Sequence, residues 1–313
     1  MSSSSQRTAS TAGRGLVLVI TAGVIWGTLG IAVRLVHERS GLSPLTISAY
    51  RTLAAVLVLT GAIAVRRRLA ISWAAARSHG RRIAAVGLLT IAFQVLFFVA
   101  VVASGVSVAT VICLGFAPVL LLVIDSVRQR RLPAATHLLT VVMAIAGLLL
   151  VSLLGSGPGD QASSPLIGVV SALASGAAFG LSAEVARPLS QALDTLTITV
   201  ATLAVAAAVL VPGVLAVAYV RGDPLTTTDL PSWLLLVYLG VVTMALAYAL
   251  LYAGLRSTSS GVAMIATLVE PVVAVLLAVL LLHEQLTLAG AVGCLLIVAA
   301  IGSLGRQSDP PPQ

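Results

Sequence analysis

The chain of 313 residues is 59% hydrophobic and only 9% charged, with a mean hydropathy of +1.10. A soluble domain is nearer half apolar and a quarter charged, so these values exclude one and make the bilayer the solvent. The formal charge of +8 comes from arginine alone, and its placement decides between a nucleic-acid partner and a membrane topology.

Residues 1–14 are Ser/Thr-rich and read as a disordered start. Apolar runs follow at 16–36, 44–65, 83–103, 105–126 and 136–154, then a Gly/Pro-rich linker at 155–164. Five more occupy 165–186, 195–218, 231–254, 258–282 and 286–305, before a tail at 306–313. Each is near the ~20 residues that about 30 Å of hydrocarbon requires, and far too long for a barrel strand. The first run has no convincing small-x-small cleavage site and is expected to be a retained helix rather than a signal peptide. These features predict an all-α polytopic membrane protein of ten transmembrane helices.

Residues 165–305 repeat residues 15–154 at an offset of 153. Gly23, Trp26, Gly27 and Arg34 fall on Gly176, Phe179, Gly180 and Arg187, while Gly87, Thr90, Ser104 and Pro118 fall on Gly240, Thr243, Ser257 and Pro271. A two-residue slip is needed where Leu45-Thr46-Ile47 meets Leu196-Thr197-Ile198. Five crossings per copy place the second upside down relative to the first, giving two inverted five-helix repeats.

With the N-terminus in the cytoplasm, the basic run of residues 66–82 and all but four of the other arginines fall inside. Arg39 and Arg221 fall outside, Arg34 nears the outer end of the first helix, and Arg51 lies within the second. That bias predicts a bacterial-type plasma-membrane protein with both termini cytoplasmic, and reads the basic charge as a topology signal rather than a nucleic-acid footprint. Cys113 and Cys294 lie in apolar helices and read as packing residues rather than a disulfide.

Gly23 and Gly27 in the first helix, and Gly176 and Gly180 in the sixth, lie four apart on one face. Small residues on one stripe let helices approach closely in lipid, as static packing or as a contact that rocks during gating. Pro118 and Pro271 occupy matching places in helices four and nine and predict a bend in each.

Ionisable side chains within a membrane are costly and point to function. Glu270, just before Pro271, is expected to exchange a proton or bind substrate, or else to hydrogen bond a carbonyl freed by the proline. Arg51 either snorkels to the outer headgroups or attracts an anionic part of a substrate. Gln94, Trp26 and Tyr248 are pocket candidates, with Thr28, Tyr50 and Tyr252 beside them; Tyr50 and Tyr252, nearer helix ends, also suit interfacial anchors.

Together, Trp26-Gly27-Thr28, Tyr50-Arg51, the run 245–252, and Leu268-Val269-Glu270-Pro271 followed by His283-Glu284-Gln285-Leu286-Thr287 and Gly293 resemble the ten-helix EamA-type members of the drug/metabolite transporter superfamily. The resemblance implies a substrate cavity between the repeats, alternating access, and frequently export of amino acids or related metabolites. Arg131 departs from the pattern, standing where the second copy has Glu284. No zinc-protease, nucleophile-elbow or nucleotide-binding motif is present, so the expectation is a carrier rather than an enzyme, without cofactor or metal. Its partners are then a small-molecule substrate, membrane lipids and, for a coupled carrier, protons. A lipid or polyprenyl-carrier translocase and a non-transporting sensor or assembly partner are the alternatives.

Overall fold

The computed structural model describes residues 2–153, 164–282 and 287–307. The linker, the His283-Glu284 pair and the final tail therefore lie wholly or largely outside the described residues.

The first crossing consists of α1 (Ser2–Gly27) and α2 (Leu29–Ser40). α1 begins at Ser2 and includes the stretch whose composition reads as disordered; neither proline nor glycine breaks that stretch before Gly13. The second crossing is α3 (Pro44–Val65). A short α4 (Leu69–Ser78) leads to α5 (Gly80–Ser104), α6 (Val106–Gln129) and α7 (Ala135–Leu153). The second copy opens with α8 (Pro165–Ala192) and α9 (Thr195–Arg221). Its third crossing is α10 (Leu230–Gly240), a π-helical segment at Val241–Leu246, and α11 (Ala247–Leu255). The next is α12 (Ser260–Thr267) with α13 (Val269–Leu282), and the last is α14 (Leu288–Gln307). Among the described residues eight crossings are long and apolar enough to span a bilayer, and α7 and α14 contribute two shorter apolar helices. The chain is a multi-pass membrane protein.

Local chemistry sets the boundaries. Ser43 and Asp194 accept from the backbone N–H of Thr46 and Thr197, capping α3 and α9 at equivalent places in the two copies. Asp229 does the same for α10, with Pro231 in the first turn where a missing N–H costs nothing. Gly105, at φ +85°, supplies the left-handed turn between α5 and α6.

The halves interlock through glycines. A Cβ on Gly27 of α1 would lie 2.8 Å from the carbonyl of Glu270, and one on Gly180 of α8 would lie 3.2 Å from that of Ala117, which is the pseudosymmetric contact. Gly87 packs in the same way on Thr202 of α9, and Gly240 on the carbonyl of Arg51 in α3. Gly147 of α7 and Gly293 of α14 face each other, each Cβ site lying 2.6 Å from the other's carbonyl oxygen. Without a hydrophobic drive between helices in lipid, this backbone proximity is what holds them together.

The matched prolines behave differently. α6 runs unbroken through Pro118, whereas the ninth crossing divides at Leu268 and leaves Pro271 in the first turn of α13, where proline is tolerated. Glu270 thereby sits at the N-terminal end of a half-helix.

Candidate substrate cavity

Near the middle of the bundle, α1, α5, α8 and α11 bring four aromatic rings together. Trp26 meets Tyr248 at 5.4 Å and Phe179 at 6.2 Å between ring centroids, both edge to face, while Phe93 stacks on Phe179 at 4.8 Å. Trp26 and Phe179 are repeat partners, so the pair meets across the internal symmetry of the fold. The π-helical segment fixes the tryptophan. Its wider turn leaves the Thr243 carbonyl available, and Trp26 Nε1 donates to that oxygen at 2.9 Å.

These rings wall a cavity of about 150 Å³, completed by Leu29, Phe97, Thr110 and Leu114. Three further polar side chains enter it: Arg51 from α3, Gln94 from α5 and Glu270 from α13. Arg51 is 6% exposed, having turned inward instead of snorkelling. Its NH2 group lies 3.5 Å from the Met244 sulfur, a poor acceptor, and its Nε has no hydrogen-bond partner among the described residues. Gln94 Nε2 donates to the Thr90 carbonyl at 3.3 Å, leaving its buried Oε1 without a partner among the described residues. Glu270 shares the cavity with Arg51, yet no ion pair within 4.0 Å joins them among the described residues.

An unmatched buried donor and an unmatched buried acceptor each forfeit about 1–3 kcal/mol of solvation unless something fills them. The arrangement thus presents a guanidinium to an incoming anion. An amide oxygen, a carboxyl and aromatic faces are presented to an incoming cation.

Of the residues singled out by sequence, Trp26, Arg51, Gln94, Tyr248 and Glu270 meet in this cavity. The other three lie outside its lining. Thr28 interrupts the first crossing, where its hydroxyl donates to the Ile25 carbonyl at 2.7 Å and lies 2.6 Å from that of Tyr238. Tyr50 donates to the Leu225 carbonyl at 2.6 Å and packs edge to face on Trp233. Tyr252 is buried behind Tyr248, 3.3 Å from the Thr202 hydroxyl, rather than anchored at an interface. Phe93, Phe97 and Thr110 carry no distinguishing signal in the sequence, and Phe179 stands out there only as the repeat partner of Trp26.

Side-chain contacts tie the repeats together at both ends of the cavity. At the end carrying the turn after α2, Arg39 donates to both carboxylate oxygens of Asp229, at 3.0 and 3.2 Å. At the opposite end Arg128 of the first repeat pairs with Glu184 of the second, while Ser260 donating to Glu184 and Arg256 donating to the carbonyls of Ser190 and Leu193, at 2.8 Å each, brace the second repeat internally.

Residues 13–153 and 166–305 each match the EamA-like transporter family. A curated relative from Bacillus subtilis (strain 168), the uncharacterized transporter YwfM, is 26% identical over 293 residues, 91% of each chain. A solved crystal structure superposes with a TM-score of 0.75 at 18% identity, covering 95% of this chain and 99% of the other, which establishes likeness of fold.

Proposed function

The chain belongs to the EamA-like transporter family, and from that premise we propose that it is a secondary transporter that exports small amino-acid-like metabolites by alternating access. The carrying observation is the buried, unmatched guanidinium of Arg51 in a cavity shared with Glu270. A zwitterion satisfies both. Its carboxylate meets Arg51, and its ammonium meets Glu270, the free Gln94 oxygen and the aromatic walls. At about 150 Å³ the cavity falls below the ~300–1,000 Å³ of drug-sized sites and favours a small substrate.

Two sets of cross-repeat contacts support alternation. Opening one side requires the Arg39–Asp229 pair to part, and opening the other requires release of Glu184 from Arg128. The glycine contacts between α1 and α13 and between α8 and α6 are the surfaces on which the repeats rock. The arginine distribution supports cytoplasmic termini in a plasma membrane. Export is the direction that the family resemblance favours.

Counterflow in proteoliposomes tests the proposal. Liposomes preloaded with each common amino acid in turn are expected to accumulate external label for a subset, and Arg51→Gln is expected to weaken that exchange by about tenfold or more without abolishing it. Binding without exchange for every compound would instead identify a sensor. Efflux from preloaded cells tests the direction.

A further inference from the structure

A second concavity, remote from the central cavity, lies on the seam between the repeats, where α3 and α5 of the first face α9 of the second. It holds about 640 Å³ between walls that are almost wholly apolar, among them Ile63, Ile83, Val200 and Val205. Along α9 it extends from Thr197 to Ala208. Eleven helical rises make that about 16 Å, close to the ~15 Å of hydrocarbon in one leaflet.

One end of the groove is polar and basic. There Ser72, Trp73 and Arg77 of α4 form the rim. α4 rests on the bundle through Ala75 and Ala76, while Leu69, Ile71 and Trp73 are 47%, 69% and 67% exposed, as in a helix lying at the membrane surface. Its flanks carry Arg66, Arg67, Arg68, Arg81 and Arg82, and residues 66–82 contain no acid. Among the described residues no ion pair reaches any of these arginines or Arg77. The nearby acid of the α9 cap, Asp194, is engaged by the backbone N–H and hydroxyl of Thr197.

We propose that this groove is a binding site for an anionic phospholipid of the leaflet facing α4, with one acyl chain along α9 and the headgroup phosphate at Arg77. A leaflet-deep apolar slot accepts any chain; Arg77 at its rim, on a helix flanked by five further arginines, selects the headgroup. This site does not depend on what the central cavity carries.

Trp73 on the rim reports occupancy. In a Trp26→Phe, Trp233→Phe background it is the remaining tryptophan, and lipids brominated on the acyl chain quench it on contact. With the full-length protein in phosphatidylcholine vesicles, brominated phosphatidylglycerol at low mole fraction is expected to quench Trp73 far more than brominated phosphatidylcholine at the same fraction. Arg77→Gln is expected to reduce that preference about fivefold, one basic side chain's share of anionic-lipid attraction. Arg130→Gln, a basic residue outside the groove, is expected to leave it unchanged. Equal quenching by both lipids, or a preference untouched by Arg77→Gln in protein that remains monodisperse, would overturn the proposal.

Discussion

Replacing Gly27 by alanine is expected to destabilise the protein, while the same change at its repeat partner Gly180 is expected to be nearly silent. A Cβ on Gly27 would lie 2.5 Å from Val273 Cβ, 2.7 Å from Val273 Cγ1 and 2.8 Å from the Glu270 carbonyl oxygen. Two of those atoms are fixed to the α13 backbone, so no rotamer change relieves the contact and α1 and α13 must separate. Overpacking of this kind costs about 1–3 kcal/mol, and three contacts below 3.0 Å place Gly27 toward the upper figure. At Gly180 the nearest atom is the Ala117 oxygen at 3.2 Å, a gap that a shift of tenths of an ångström accommodates. Gly180 also lies inside α8, where alanine recovers up to about 1 kcal/mol of helix propensity and offsets the crowding. Gly27 ends α1 and recovers less. Thermal unfolding of the purified variants in one detergent, followed by tryptophan fluorescence, should show a lower midpoint for Gly27→Ala by about 2 kcal/mol equivalent and little change for Gly180→Ala. Equal midpoints, or a lower one for Gly180→Ala, would refute the argument from these distances.

Three further outcomes are expected. Single cysteines at Ser78 and Thr227, in a background lacking Cys113 and Cys294, should label from opposite sides with an impermeant reagent; labelling of position 78 from outside intact cells would invert the topology. If Glu270 carries the coupling proton, Glu270→Gln should lose pH-driven accumulation while retaining exchange, and an unchanged pH profile in reconstituted protein would remove that role. Arg39 and then Ser232 hold the Asp229 carboxyl below the usual carboxylate range. A depressed folded value means its stabilisation is present above the ordinary value of about 4 and is lost only as pH falls below that. The midpoint difference between wild type and Asp229→Asn should therefore stay constant from about pH 5 to 8, and a difference that shrinks across that window would contradict the pairing.

The crossings were legible in the sequence because lipid leaves the backbone few options, and run length alone then marks each span. The repeat was legible because glycines, unlike the surrounding Val, Leu and Ala, cannot drift where two backbones touch. Gly87 against Thr202 and Gly240 against Arg51 show the constraint acting twice. Arg51 and Glu270 stood out because charge in an apolar run is conspicuous; that both face one cavity is a matter of helix rotation, which the sequence encodes only weakly. Phe93 and Phe97 were invisible for the same reason, since an aromatic ring in a membrane helix suits lipid as well as a cavity wall. Tyr252, whose place near a helix end also suits an interface, is buried behind Tyr248, because position along a helix says little about what packs around it. The break at Leu268 was obscured because Pro118 and Pro271 look equivalent in sequence, yet only one interrupts its helix.

The central claim, that Arg51 reads the carboxylate of a small zwitterion, is tested most directly by counterflow with paired compounds. Each amino acid that exchanges in wild-type proteoliposomes is compared with its carboxamide, which keeps size and ammonium but removes the negative charge. Wild type is expected to favour the carboxylate by about tenfold or more, since a hydrogen bond to a charged group contributes about 1.5–3 kcal/mol. Arg51→Gln should lose most of that discrimination. Equal exchange of acid and amide by the wild-type protein would contradict the assignment of Arg51.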